Sequence, residues 1–348
     1  MRIINKIFTR IKSNYQFLFS IVLLLLILII AINPNPYIET TLKGFSIWAK
    51  IVLPSLFAFF IITKLFMQQN KSIAIFNFLN KPFNKIYKSG NVSGYVFIMS
   101  VVSGYPLGAK LASEFYNNNV ISKEEALRLI PYTSTSGPMF ILGSIGASLF
   151  KNRTLAVVIL ISHLTAALIN GLLYKKLIFK KEFYINKEQI KTQQPLTKES
   201  LNEIMYNSII SCLMVGGYIA LCFTFLEVLN NLNLFNPLSS LINSFLPHNS
   251  QVGKSFIKGL IELTNGCVSL SEKAFPLKTL AICLSGIISF GGLSIHLQSQ
   301  MFLSKCGIKY KYFLITKITH CILAIIVSGF LSALLLWIMC QIKNIKPA

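Results

Sequence analysis

Residues 97–116 read FIMSVVSGYPLGAKLASEFY, an apolar stretch that SGYP interrupts at positions 103–106. Just past the interruption, Lys110 and Glu114 lie four residues apart and therefore on one helical face. Irregular backbone at membrane depth is tolerated where it is buried in protein or lines a cavity, and ionisable groups there avoid lipid. The stretch therefore predicts either a substrate site or a kinked helix whose two charged residues lie at the membrane surface.

The whole chain has the composition of a polytopic membrane protein. Its 348 residues are 53% hydrophobic and only 13% charged. A net charge of +22 would suggest nucleic-acid binding in a soluble chain. Here the lysines lie mostly between apolar runs, as the positive-inside rule expects, and no nucleic-acid-binding motif is present. The seven cysteines form no CxxC pair and no histidine cluster accompanies them, so we expect core residues, no metal site and no cofactor.

Seven apolar segments predict transmembrane helices. The first follows a basic start and predicts an uncleaved anchor with a cytoplasmic N-terminus. The Lys-rich loop 175–200 is predicted to be cytoplasmic, and 228–253, which has no Lys, Arg, Asp or Glu, to be outside. Residues 71–88 and 237–247 predict interfacial helices. The seven segments are 16–32, 45–67, 126–150, 154–174, 205–229, 278–300 and 313–338.

Equivalent segments recur at nearly constant spacing, which indicates an internal duplication. Spans 45–67 and 205–229 start 160 residues apart, and the broken segments that begin at 97 and 256 start 159 apart. The loop charges place the two copies in opposite orientations, as in secondary transporters with inverted repeats. Treating each broken segment as a re-entrant hairpin puts every basic loop inside. The predicted fold is all-α, with about seven transmembrane helices, two re-entrant hairpins and interfacial helices.

This pattern divides the chain into four parts. They are an N-terminal anchor helix with an outside loop (1–44), a first repeat (45–178), a basic cytoplasmic loop (179–203) and a second, inverted repeat (204–348).

Four motifs carry a family resemblance that covers roughly residues 15–340. SGYPLGAK, TSTSGPMFILGSIG, GLIELTNGC and SFGGLSIHLQ resemble the motifs of the YlbJ (SpoVV) family of sporulation integral membrane proteins, in the same order. That family belongs to the wider nucleoside-recognition, or Gate-domain, group, which is similar to concentrative nucleoside transporters. A motif of those transporters matches at Gly108, Lys110, Ser113, Glu114 and Phe115.

The resemblance implies a transporter that exports dipicolinic acid from the mother cell, located in the outer membrane around the developing spore. The likeness to nucleoside transporters suggests a homo-oligomer, a trimer or a dimer. Dipicolinate is a small planar dianion, so its site needs a cation or helix N-termini that face the carboxylates. Lys110 is the cation beside a break in the first half, whereas pairing of Lys110 with Glu114 would leave a neutral site.

Several roles remain open at the breaks. Glu114 is either an acceptor for a ribose hydroxyl or an ion-pair partner, and Glu262 either carries a proton or a cation or bonds to unwound backbone. His296 is either a titrating group or a core residue, whereas His163 and His320 are expected to be ordinary core residues. The candidate substrate-binding residues are Ser103, Gly104, Tyr105, Lys110, Glu114, Ser134, Thr135, Ser136, Gly137, Glu262, Thr264, Asn265, Ser289, Gly291, Gly292, His296 and Gln298.

Three other functions compete with anion transport. The first is a nucleoside carrier, which would move a neutral solute through the same site. The second is a membrane enzyme, which is disfavoured because the chain has no HExxH, GxSxG or paired-carboxylate motif. The third is a structural protein of spore assembly, for which an inverted duplication has no evident use. The sequence therefore favours a transporter in the bilayer, with a small anion as its ligand and no enzymatic activity.

Overall fold

The computed structural model describes residues 2–67, 69, 72–178, 200–237, 239–240 and 250–345. These residues contain helices and turns but no strand. Most of the predicted loop 175–200 and of the predicted interfacial helix 237–247 lies outside them. The principal helices are α1 Arg2–Ile32, α2 Pro34–Ile47, α3 Leu53–Met67, α4 Ser72–Ile75, α5 Asn77–Tyr87, α6 Ser93–Ser103, α7 Leu107–Asn117, α8 Lys123–Thr133, α9 Arg153–Ile178, α10 Leu201–Asn231, α11 Ser250–Ile261, α12 Leu263–Ser271, α13 Leu277–Phe290, α14 Gly292–Leu303 and α15 Tyr310–Ile345, with π-helical segments at Trp48–Val52 and Met139–Leu149.

Long apolar helices confirm the predicted membrane protein. Their outward faces carry large apolar side chains such as Leu221, Ile326 and Phe330, which are 61–69% exposed. A surface of this kind is suited to lipid. Among the described residues, four helices are long and apolar enough to cross a membrane, or five if a pair bent by 100° counts as one span. The four are Arg153–Lys176, Leu201–Asn231, Leu277–Cys306 and Tyr310–Leu335, and the bent pair is Phe17–Ile32 with Pro34–Val52.

Helix α2 corrects the expected outside loop that ends at residue 44. Pro34 and Pro36 lie in its first turn, where the missing amide hydrogens cost no intrahelical bond. The hydroxyls of Thr40 and Thr41 donate to carbonyls four residues back, at 2.7 and 2.6 Å. Proline is well tolerated where a helix begins, so these two prolines are compatible with a helix in this stretch.

The predicted interfacial segment 71–88 contains two short helices, α4 and α5. Phe76 and Phe83 pack against the buried residues of the first half, whereas Phe78 is 70% exposed. Phe76 and Phe83 therefore anchor the segment to the protein, whereas the Phe78 side chain is exposed.

The buried apolar residues form two main cores, and the broken helices pass between them. Core 1 is built around Tyr95, Leu111 and Tyr132 and includes Phe313 of α15. Core 2 is built around Ile141 and residues of α9, α12 and α13. In the first half the chain runs from α8 in core 1 to Met139–Leu149 in core 2. In the second half it runs from α13 in core 2 to Leu303, at the end of α14, in core 1.

Helix α10 packs closely on the N-terminal helices through small residues. A Cβ added at Gly44 would lie 2.9 Å from the Ala220 Cα, and one added at Gly216 would lie 2.6 Å from the Trp48 ring. The neighbouring Gly217 has no atom within 4 Å of its Cβ position. The two adjacent glycines therefore differ in packing within the same turn of helix.

We expect Gly216→Ala to destabilise the protein by about 1–3 kcal/mol, because the methyl group overpacks the contact with Trp48. Gly217→Ala is the matched control and should be neutral or stabilising by up to about 1 kcal/mol through helix propensity. Thermal unfolding of the detergent-solubilised protein measures both. Equal effects of the two substitutions would contradict the packing explanation.

Candidate functional site

All four predicted breaks are present, and each falls between two helices. Gly104, Gly291 and Gly292 have φ of +74°, +91° and +70°, a backbone conformation that glycine adopts at little cost. The breaks lie between Ser103 and Leu107, between Thr133 and Met139, between Ile261 and Leu263, and between Phe290 and Gly292.

Close backbone contacts join the breaks in two pairs. A Cβ at Gly104 would lie 2.7 Å from the Gly137 amide nitrogen, which places the first break against the second. A Cβ at Gly292 would lie 2.9 Å from the Leu263 amide nitrogen, which places the fourth break against the third. Glycine is required at positions 104 and 292 because another backbone segment lies too close for a Cβ atom, and because φ is positive at both positions.

Tyr105 and His163 connect the two pairs. The Tyr105 hydroxyl donates to the carbonyl of Ile288, one turn before the fourth break, at 3.1 Å. The amide of Ser136 donates to His163 Nε2 at 2.9 Å, and His163 Nδ1 lies 2.7 Å from Ser289 Oγ. An amide can only donate, so in the neutral ring Nε2 accepts and the Nδ1 hydrogen is donated to Ser289. Side chains from both halves thus satisfy backbone groups at the breaks.

Two adjoining cavities open between the breaks and share Ser103, Tyr105, Val215 and Gln298 in their walls. We call them the wide lobe and the narrow lobe of the central cleft. The wide lobe, about 170 Å³, has apolar walls with two lysines: Phe60, Lys64, Lys110, Met214 and Met301. The narrow lobe, about 70 Å³, is lined by break residues and polar side chains, among them Gly104, Ser136, Gly137, Glu262, Thr264 and Ser294.

The cleft brings together part of the predicted site. The predicted residues that line it are Ser103, Gly104, Tyr105, Lys110, Ser136, Gly137, Glu262, Thr264 and Gln298. The predicted residues that lie outside its two linings are Glu114, Ser134, Thr135, Asn265, Ser289, Gly291, Gly292 and His296.

Lys110 and Glu114 interact with each other. Their charged atoms are 3.6 Å apart, and each side chain is about one-third exposed (34% and 33%). Lys110 also lines the wide lobe, so one of its faces remains available to a ligand. The pair resolves one of the alternatives left open by the sequence, because Glu114 serves as an ion-pair partner.

Glu262 and His296 hold backbone at their breaks. The Glu262 carboxylate accepts from the Asn265 amide at 2.6 Å and so caps the N-terminus of α12. His296 Nε2 lies 2.9 Å from the carbonyl of Phe290, to which it donates, and Nδ1 lies 3.2 Å from the Tyr310 hydroxyl. Glu262 also faces the narrow lobe, whereas His296 lies outside both linings.

His163 and His320 are core residues, as expected, but they are not ordinary ones. They are 157 positions apart, close to the repeat spacing, and their rings lie 4.8 Å apart. His320 Nε2 is 3.0 Å from the His163 carbonyl, which can only accept, so Nε2 donates and Nδ1 is left as an acceptor. The described residues contain no group of three or more His, Cys, Asp or Glu side chains that could hold a metal ion.

Lys317 is the charged residue that the sequence analysis missed. It is 1% exposed and lies in the first third of α15. Its Nζ lies 2.7 Å from the Tyr105 hydroxyl, 2.9 Å from the Ser134 carbonyl oxygen and 3.5 Å from His320 Nδ1. A signal was available, since a lysine inside an apolar span marks a functional site by default.

The long apolar helices and a polar cleft at four breaks define a polytopic, all-helical integral membrane protein with an internal site. The chain is 29% identical over 309 residues to the sporulation integral membrane protein YlbJ of Bacillus subtilis (strain 168), covering 82% of this chain and 75% of that protein. This likeness supports membership of the YlbJ family, which the motifs indicated. No family model matches the chain, and no solved structure matches it.

Replacing His163 by Phe should destabilise the protein by about 1–3 kcal/mol, because the buried Ser136 amide then loses its acceptor. Ser162→Ala is the control: the Ser162 hydroxyl donates to the Val158 carbonyl of its own helix, so its loss should cost about 1 kcal/mol or less. Thermal unfolding in detergent compares the two. An unchanged midpoint for His163→Phe would show that the bridge between the breaks contributes nothing to stability.

Proposed function

We propose that this protein is a secondary transporter or facilitator for a small organic anion, and not an enzyme. The observation that carries the proposal is the central cleft: three helix breaks line it, the fourth packs against the third, and Lys64 and Lys110 lie in its wide lobe. Irregular backbone at membrane depth is tolerated where it lines such a cavity. Binding sites at broken helices are the characteristic architecture of secondary transporters.

The size and chemistry of the cleft suit a small, partly apolar anion. Both lobes are smaller than the roughly 300–1,000 Å³ of pockets that hold drug-sized ligands. Phe60 and Met214 offer an apolar surface, and Lys110 offers a positive charge. The hydroxyl of Ser136 and the backbone groups at the glycines of the first two breaks allow hydrogen bonds in the narrow lobe, which is the inner end of the cleft.

The two cores support an inverted repeat with seven spans and two re-entrant hairpins. Each half has, in order, a long helix, a helix pair around a break, a broken helix and a second long helix. The first half crosses its break from core 1 to core 2, and the second half crosses from core 2 to core 1. A duplication with opposite orientations predicts this reversal. In this arrangement α6–α7 and α11–α12 are the hairpins.

Dipicolinate is the substrate we propose, with the outer forespore membrane as the location. The Bacillus subtilis relative is named as a sporulation protein, and the motif resemblance implies dipicolinate export. The chemistry agrees, since a planar aromatic dianion matches a cleft with apolar walls and lysines. The related Gate-domain architecture also suggests a homo-oligomer.

A nucleoside carrier is the second candidate, and the Lys110–Glu114 pair favours it. At 3.6 Å the two charges largely neutralise each other, as a neutral substrate would need. Glu262 in the narrow lobe could accept a ribose hydroxyl. A structural protein of spore assembly, in contrast, would show no solute flux and would tolerate substitutions in the cleft.

Vesicles that contain the purified protein should show saturable uptake of dipicolinate and no uptake of uridine. Lys110→Ala should lower dipicolinate uptake about two- to fivefold, the effect expected for a partly exposed charge that already has a partner. Lys278→Ala, which removes an exposed lysine outside the cleft, should leave uptake unchanged.

The other outcomes each identify a different function. Uridine uptake without dipicolinate uptake would move the assignment to a nucleoside carrier. No flux of either solute, from protein that remains folded, would remove the transport proposal. Equal losses in Lys110→Ala and Lys278→Ala would place the anion site away from the wide lobe.

A further inference from the structure

Lys317 is buried without a negative charge beside it. The ion pairs among the described residues are Lys43–Glu272 and Lys110–Glu114, and neither includes Lys317. The three acceptors around its ammonium group are uncharged: the Tyr105 hydroxyl, the Ser134 carbonyl and His320 Nδ1. The donated hydrogen bonds are satisfied, but the charge has no counter-ion within the described protein.

A buried charge without a counter-ion is costly, even when its hydrogen bonds are made. A protein neutralises such a group or pairs its charge, and membrane proteins commonly place unpaired ionisable groups on substrate pathways. The nearest pathway is the central cleft. Lys317 Nζ lies 4.5 Å from the centre of the Tyr105 ring, and Tyr105 lines both lobes. The tyrosine ring therefore separates the ammonium group from the cleft.

Two buried hydroxyls near Tyr105 and Lys317 have no hydrogen-bond partner among the described residues. Ser103 Oγ belongs to the wall of both lobes, and Thr135 Oγ1 follows the carbonyl of Ser134 that binds Lys317. Ser103 is 7% exposed and Thr135 is 1% exposed. Buried hydroxyls normally find a partner, so unsatisfied ones indicate a ligand or water that would complete them.

We propose that Lys317 supplies the positive charge for a carboxylate of the transported solute, at a subsite at the inner end of the cleft where Tyr105 covers it in the empty protein. The carboxylate takes the place of the Tyr105 hydroxyl as acceptor, and the Ser103 hydroxyl donates to it. Ser103, Tyr105 and Lys317 thus form the subsite. This inference rests on the proposed anion transport and adds the residue that recognises the charge.

The test compares two uncharged variants with a matched control. Lys317→Met keeps the length and apolar stem of the side chain, and Lys317→Gln keeps a donor for Tyr105 and Ser134. Lys311→Met removes an exposed lysine from the same helix and leaves the cleft untouched. Binding of dipicolinate to purified protein and uptake into vesicles are both measured, and size-exclusion chromatography reports folding.

Both Lys317 variants should weaken dipicolinate binding on the order of 30-fold or more, the effect of removing a buried charged partner. Lys311→Met should bind as the unmodified protein does. The neutral diamide of dipicolinate should bind the unmodified protein at least as weakly as dipicolinate binds the Lys317 variants. The affinity for the diamide should be the same in the unmodified protein and in the Lys317 variants. If the Lys317 variants lose affinity for the dianion and not for the diamide, the substitution has removed recognition of charge and has not damaged the structure.

Three results would overturn the inference. If Lys317→Gln binds and carries dipicolinate as the unmodified protein does, anion transport stands and Lys317 is not its subsite. If the unmodified protein neither binds nor carries dipicolinate, the proposed function and the inference fail together. If the Lys317 variants do not fold, the diamide decides: equal affinity of the unmodified protein for diamide and dianion shows that no charge is recognised.

Discussion

The structure depends on satisfying the backbone groups that four interrupted helices release in the protein interior. Inside a membrane protein no bulk water is available for them, so other parts of the chain must supply partners. His163 accepts from the amide of Ser136, and Tyr105 donates to the carbonyl of Ile288. Lys317 donates to the carbonyl of Ser134, and His296 donates to the carbonyl of Phe290. Because most of these partners come from distant segments, the breaks hold the two halves together.

The same requirement creates a polar centre inside an otherwise apolar body. The two apolar cores pack the helices on either side, and the broken helices pass from one core to the other. A cleft results where the helices are interrupted, since unwound backbone and glycines leave space that regular helices would fill. Side chains that support the fold, such as Tyr105 and Glu262, also form the walls of that cleft. The same residues thus support the fold and line the cleft.

The charges of the site are arranged by depth. Lys64 and Lys110 line the wide lobe, Glu262 lines the narrow lobe, and Lys317 lies behind the Tyr105 ring. Lys110 has a partner in Glu114 and is partly exposed, so its charge is screened. Lys317 is buried and without a counter-ion among the described residues, so its charge acts more strongly on whatever enters the cleft. The positive charges therefore lie at two depths, with the screened one in the wide lobe and the buried one behind the Tyr105 ring.

The sequence by itself determined the membrane class and all four breaks, because apolar length, glycine, proline and clustered hydroxyls act locally. It also predicted Tyr105, Ser136 and Glu262 as site residues, and the structure places them in the cleft wall. It did not predict α2, since the effect of proline depends on its position within the first turn. Only the tertiary structure decided that His163 and Lys317 meet the breaks and that His320 contacts both of them. The backbone groups that His163 and Lys317 contact are 27 and 183 positions away in the sequence. A lysine inside an apolar span is a local signal of a site, but the identity of such distant partners leaves no local pattern in a sequence.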